Sequence, residues 1–218
     1  MASRSEPTDS LDDFPTPPWA GRALFEKVLI PRGVFRPIDG KLPTCWEPAA
    51  NRGHLLLALL RYFRRVDYSD IHDYGLVGCV IRDYLDDGAL DADARPSADW
   101  LITNPPFKLA VQFALQALID AGVGVALFVR TQWMESEGRF RALFQDNPPD
   151  LWAVFCERVP IVKGRIDPEA RSATSYSWVI WHGLDKDRDR TTELVWIPRC
   201  REEMERAGDY PETEGSLL

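Results

Sequence analysis

Several patterns are missing from this sequence, and each absence removes a class of function. No G-x-G-x-x-G fingerprint occurs, which argues against a dinucleotide cofactor such as NAD. The four cysteines, Cys45, Cys79, Cys156 and Cys200, form no C-x-x-C pair. Free, largely buried thiols in a reducing cytosol are the expectation. The three histidines, His54, His72 and His182, are too scattered for a metal site, and none is expected. No apolar run approaches the roughly 20 residues that span a bilayer. The opening stretch, Met1 to Asp13, is polar and acidic, unlike a signal peptide. A cytoplasmic protein without membrane contact is expected. Positive charge is also short: 26 Lys+Arg stand against 34 Asp+Glu, a net charge of -8. That argues against a broad nucleic-acid-binding face, though not against a local basic groove.

What is present suits one α/β domain. The chain has 218 residues, 45% of them apolar, enough for one sizeable core. Residues 1–13 have the composition of a flexible tail, 14–198 form the domain, and 199–218 hold a small helix and a tail. Phe14 to Trp19 is a proline-stiffened arm, followed by apolar residues at helical spacing. It is either a helix packed on the core or a cover over a cofactor pocket. Leu42 to Glu47 reads as a strand, Pro48 to Gly53 as a turn of small residues, and Leu55 to Phe63 as a helix. Strand, tight turn and helix open a nucleotide-binding sheet. Ala49 and Ala50 let a ligand approach the backbone, and Asn51 tolerates a positive φ. Further strands are expected at 64–69, 76–81, 100–103, 123–129, 151–156 and 176–181, with a short one at 193–198.

Acids follow the first three strands. Glu47 is suited to a cationic ligand group, Asp70 to a ribose diol, and Asp83 to an adenine amino group. After the fourth strand comes Asn104-Pro105-Pro106-Phe107. Two prolines cannot continue a ladder, so the strand ends there in a rigid corner. The Asn104 side-chain oxygen and the Pro105 carbonyl are two acceptors for the N–H groups of an amino or amide nitrogen. Such a nitrogen is a poor nucleophile until its lone pair is drawn out of conjugation and aimed. Phe107 can stack on a flat substrate. The plain alternative is a turn after a core strand. The loop from Glu157 to Ser175 carries Lys163, Arg165 and Arg171, a candidate segment for a phosphate backbone.

Together, Pro15-Thr16-Pro17-Pro18-Trp19, Glu47-Pro48-Ala49-Ala50-Asn51-Arg52-Gly53, Asp70, Asp83 and Asn104-Pro105-Pro106-Phe107 resemble the S-adenosylmethionine-dependent DNA adenine-N6 methyltransferases. The likeness is to the small stand-alone enzymes of phages and prophages, and covers roughly Phe14 to Trp181. It implies a class I methyltransferase fold: a mostly parallel seven-stranded sheet with a reversed last strand and helices on both faces. It implies S-adenosyl-L-methionine as cofactor and DNA, or RNA, as partner. Thr16 and Pro17 would cover the methionine part. Glu47, Ala49, Asn51, Gly53 and Asn104 would line the pocket. Asp70 would hold the ribose, Ile71 and Tyr84 would flank the adenine, and Asp83 would take its amino group. Asn104 and Pro105, backed by Pro106, would orient the target nitrogen, with Phe107 on a flipped-out base. Lys108, Lys163, Arg165 and Arg171 would meet nucleic acid.

Two departures stand out. Asn51 replaces a glycine of the family pattern, and the interval from Asp83 to Asn104 is too short for a target-recognition domain. Short or relaxed sequence specificity, or a partner that supplies it, is therefore expected. Three rival readings use the same corner: an RNA adenine methyltransferase, a protein glutamine methyltransferase, and a silent methyltransferase-like subunit.

Overall fold

The computed structural model describes residues 12–86, 95–170, 173–184 and 191–210. Arg171, most of the acidic loop expected between Asp86 and Ala98, the linker at 185–190 and both chain ends lie outside the described residues.

The strands are β1 (Thr44–Glu47), β2 (Arg65–Asp70), β3 (Val80–Ile81), β4 (Ala98–Thr103), β5 (Ala121–Arg130), β6 (Leu151–Phe155), β7 (Tyr176–His182) and β8 (Glu193–Ile197). They form one sheet in the order β3-β2-β1-β4-β5-β7-β6-β8. From β3 to β5 every pairing is parallel, whereas β7 runs antiparallel to both β5 and β6. The expectation of seven strands is therefore revised to eight among the described residues. β8 adds to the outside of β6 in parallel, so the reversed strand is the last but one in sequence. The order turns back on itself between β1 and β4. Crevices at the carboxyl ends of open α/β sheets form at such points.

The continuous apolar strands β4 and β5 sit at the centre, where both faces of a parallel sheet are covered. Residues 101–103 and 124–129 are buried. Gly124 is required there, because a Cβ on it would stand 2.6 Å from the Trp100 ring. On one face, α1 (Pro18–Ala23) runs on as a π-helical stretch, Leu24–Leu29, and packs on α2 (Leu56–Leu59). Trp19 is fully buried, edge-on to Phe155 at 5.6 Å between ring centroids. The other face carries α3 (Ala110–Asp120), α4 (Glu137–Arg139) and a second π-helical stretch, Phe140–Phe144. Phe113, Ala114 and Ala117 of α3 are buried at helical spacing. The small helix α5 (Arg201–Met204) returns to α1, where Arg22 and Asp209 form a buried ion pair.

Candidate active site

The carboxyl ends of β1, β2 and β4 open onto a cavity of about 350 Å³, within the range of small-molecule and cofactor sites. Each wall follows from a local feature of the chain. β1 delivers Glu47, and the next residues turn sharply: Asn51 has φ +52° and Gly53 φ +85°. The turn hangs on the end of β2. The Ala50 amide donates to the Ser69 carbonyl at 3.0 Å, and the Asn51 amide to Asp70 Oδ2 at 2.9 Å. β4 ends at Thr103, Asn104 follows it, and α3 begins at Ala110, four residues past the double proline.

Most residues expected at the cofactor site and the catalytic corner meet here. Thr16, Glu47, Ala49, Asn51, Asp70, Ile71, Asp83, Tyr84, Asn104 and Pro106 all line the cavity, as does Lys108. Others stand back from it. Pro17 is buried at the head of α1, where its carbonyl accepts the Ala20 amide. Gly53 shapes the turn from behind: a Cβ there would come within 2.9 Å of Leu76 Cδ1. Pro105 is buried beside the cavity. Tyr84 borders the cavity but its side chain belongs to the core, edge-on to Trp46 at 5.1 Å and 2% exposed. It is a floor more than a flank. Ile71 is the reverse, an aliphatic side chain 62% exposed on the cavity rim. Lys163 and Arg165 are exposed outside the cavity, Arg165 paired with Asp167.

Phe107 also lies outside the cavity lining. Its ring lies against Phe14 at 5.0 Å, and the Arg130 guanidinium sits 4.1 Å from its centroid. A flat substrate on Phe107 therefore has to share or displace these neighbours.

The polar groups that face the cavity are unusual in what they lack. Thr16 Oγ1, Glu47 Oε2, His54 Nδ1 and Asn104 Oδ1 are buried with no hydrogen-bond partner among the described residues. Buried polar atoms are normally paired, so these atoms, with the Tyr84 hydroxyl on the same wall, are free to take hydrogen bonds from a ligand. Glu47 is 1% exposed. Burial, and then the nearby Asp70, push its carboxyl well above the usual glutamate range. A cationic ligand group would remove that penalty. His54 is pushed down to about 4 by burial and by Arg52, so its imidazole is neutral at pH 7. Asp70 is raised by burial, while the amides of His72 and Asn51 pull the other way. His72 donates to its Oδ1 at 3.0 Å. Each carboxylate oxygen keeps a further lone pair for a hydroxyl.

The Asn104 amide has a defined orientation. Its Nδ2 donates to the Phe14 carbonyl at 2.8 Å. A carbonyl can only accept, so the NH₂ must face the arm, and Oδ1 is the atom left toward the cavity.

Asp12, His54, Tyr74 and Arg82 also line the cavity wall, and no local pattern in the sequence marks them. The arm is both helix and cover, with Asp12, Phe14, Pro15 and Thr16 at the cavity and most of residues 18–29 in the core.

Comparison with solved structures places this architecture. A type I restriction-modification methyltransferase subunit from Streptococcus thermophilus superposes with a TM-score of 0.58 at 15% identity, over 91% of this chain and 50% of that one. The M protein of the type I restriction enzyme EcoKI gives 0.57 at 12% identity, over 87% and 49%. A Listeria monocytogenes protein provisionally assigned as a class I S-adenosylmethionine-dependent methyltransferase gives 0.58 at 16%, over 87% and 67%. The fold is that of the class I methyltransferases. The chain spans about half the length of the two restriction-system proteins it resembles. No protein-family model and no curated sequence matches it.

The cavity fits the cofactor of that fold class. Buried Glu47 Oε2 lacks a cation, exposed Ile71 offers an apolar surface for a purine, and the Asp70 and Asp83 carboxylates offer acceptors at the same rim.

Proposed function

We propose that this protein is an S-adenosylmethionine-dependent methyltransferase that acts on the N6 amino group of adenine in DNA, with short or relaxed sequence specificity. The observation that carries this reading is Asn104: a buried, unpartnered oxygen at the end of β4, held toward the cavity because the amide nitrogen is occupied by Phe14. The bound cofactor supplies an electrophilic methyl carbon on a sulfonium.

The protein's own groups do the rest. Glu47 holds the positive charge of the cofactor's amino acid portion, and Asp70 accepts from its ribose hydroxyls. Ile71 packs on the adenine ring, and Asp83 takes that ring's amino group. Asn104 Oδ1 and the Pro105 carbonyl each accept one N–H of the target amine. With both protons held, the nitrogen lone pair leaves the ring system and points at the methyl group. No covalent bond to the protein forms. On transfer the N–C bond would form as the S–C bond breaks, releasing S-adenosylhomocysteine, and the strongly acidic methylated nitrogen would lose its proton to solvent water. Preorganised acceptors of this kind contribute through positioning and electrostatics.

On the target side, Phe107 is the stacking surface for an extruded base. Lys108, Arg130, Lys163 and Arg165 supply positive charge for the strand that carries it, in a chain whose net charge is -8. Arg130 was not among the residues legible in the sequence.

The test is transfer of labelled methyl groups to DNA, RNA and protein, followed by nucleoside and peptide mass spectrometry. N6-methyladenine in DNA is the expected product. Asn104→Ala should lower transfer by about 10²–10³-fold while cofactor affinity stays within about twofold of wild type. Methylated RNA or glutamine as the main product overturns the substrate assignment. Wild-type transfer by Asn104→Ala overturns the mechanism.

A further inference from the structure

Three consecutive residues of the arm tie the site together. Asp12 Oδ2 accepts the Phe107 amide at 2.7 Å. Asp13 Oδ1 accepts from Asn51 Nδ2 at 2.9 Å and Arg52 Nη1 at 2.7 Å, and its carbonyl accepts the Gly164 amide at 2.8 Å. The Phe14 carbonyl accepts from Asn104 Nδ2. The first turn, the Asn104 corner and the 162–165 hairpin are thus joined through one short segment. Asp13 is 9% exposed, and its charge meets Arg52 in a half-buried pair. Charge-assisted bonds of this kind are stronger than neutral ones.

Asn51 has a role here that a glycine could not fill. Its φ of +52° is one that glycine adopts freely. Its side chain is fully used: Nδ2 reaches Asp13, and Oδ1 accepts the Arg52 amide at 2.7 Å. The asparagine latches the cofactor turn to the arm.

We propose that Asp12 and Asp13 are positioning residues of the transfer site, which fix the arm so that the cofactor turn and the target acceptor are held in one geometry. The proposal rests on the methyltransferase reading above. Asp13, through Asn51 and Arg52, sets the cofactor turn. Asp12, through the Phe107 amide, sets the corner on which Asn104 stands. If the arm lifts, the Asn104 amide loses the carbonyl that orients it. A rotated amide then presents N–H to the N–H of the target, which repels where it should accept.

The two halves are separable by experiment. Calorimetry with S-adenosylhomocysteine reads the cofactor half without turnover. Asn51→Gly keeps the backbone and removes only the latch; it and Asp13→Ala should weaken binding by about tenfold, the range for a lost charge-assisted bond. Asp12→Ala should lose about tenfold or more in kcat at saturating cofactor, beyond any change in S-adenosylhomocysteine affinity. Asp12→Asn keeps an acceptor oxygen for the Phe107 amide and should restore most of kcat. Thermal unfolding of each variant separates these effects from loss of fold; Asn51→Gly serves if Asp13→Ala does not fold. Wild-type binding by Asn51→Gly, or wild-type kcat in Asp12→Ala, overturns the proposal and leaves the methyltransferase reading standing. Failure of wild type itself to bind S-adenosylhomocysteine overturns both.

Discussion

The Arg130 guanidinium lies 4.1 Å from the centroid of the Phe107 ring. The contact joins the exposed last residue of β5 to the corner that follows β4. A cation over an aromatic face is attracted by the ring's quadrupole, by about 0.5–1 kcal/mol where solvent reaches it. The contact also brings a positive charge beside the place where a target base would stack. Arg130→Ala should raise the KM for DNA several-fold and reduce the slope of log affinity against log salt by about one. Cofactor affinity should not change. An unchanged salt slope would remove Arg130 from the strand contact.

Glu47 gives a prediction with two signs. Its carboxyl is raised above the ordinary value of 4.5, mainly by burial. A raised acid prefers its neutral form in the folded state. Its contribution to stability is complete below pH 4.5 and is lost as pH rises through the folded-state pKa. Glu47→Gln removes this cost, so the unliganded protein should melt at a higher temperature near neutral pH. The same change removes the partner for the cofactor's positive charge, so S-adenosylmethionine binding should weaken. In wild type, affinity should rise with pH across the Glu47 titration, with a proton released on binding. Calorimetry in buffers of different ionisation enthalpy measures that proton.

Ile71 is 62% exposed on the cavity rim, and its side chain contributes little to the core. Ile71→Ser should leave the melting temperature of the unliganded protein within about a degree. It should weaken S-adenosylhomocysteine binding by roughly fivefold, the scale of about 1 kcal/mol for a partly covered aliphatic surface. A loss of stability with unchanged binding would place Ile71 in packing and out of the site.

Gly124 tests the centre of the sheet. A Cβ there would fall 2.6 Å from the ring of Trp100, which is buried in the core. Gly124→Ala should cost about 1–3 kcal/mol in chemical unfolding, the usual range for overpacking a core. Because Trp100 stands on β4 four residues before Asn104, some loss of transfer should accompany it.

The fold was legible because its signals are local. Apolar runs bounded by turn residues mark β1, β4, β5 and β7, and the double proline after Asn104 stops β4 whatever surrounds it. Glu47, Asp70 and Asp83 announce themselves as acids at strand ends, and all three line the cavity. Strand ends were less visible. β3 keeps only Val80 and Ile81 of the expected run, since exposed edge residues gain little from pairing. β8 was legible as a strand but not as an eighth member of the sheet, because pairing with β6 is a choice among edges that no short window contains.

Residue type and local order alone determined the alternation of strand and helix, the rigid corner, and which side chains have the chemistry for a cofactor and an amine. Only the packed chain decided how those side chains are partnered. Asp12 meets Phe107 across 95 positions of sequence, and Phe14 meets Asn104 across 90. Burial shifts Glu47 upward and His54 downward, an effect of surroundings absent from any side chain by itself. A hydrogen bond or a desolvation cost belongs to two places in space at once, and the linear order of residues records only one of them.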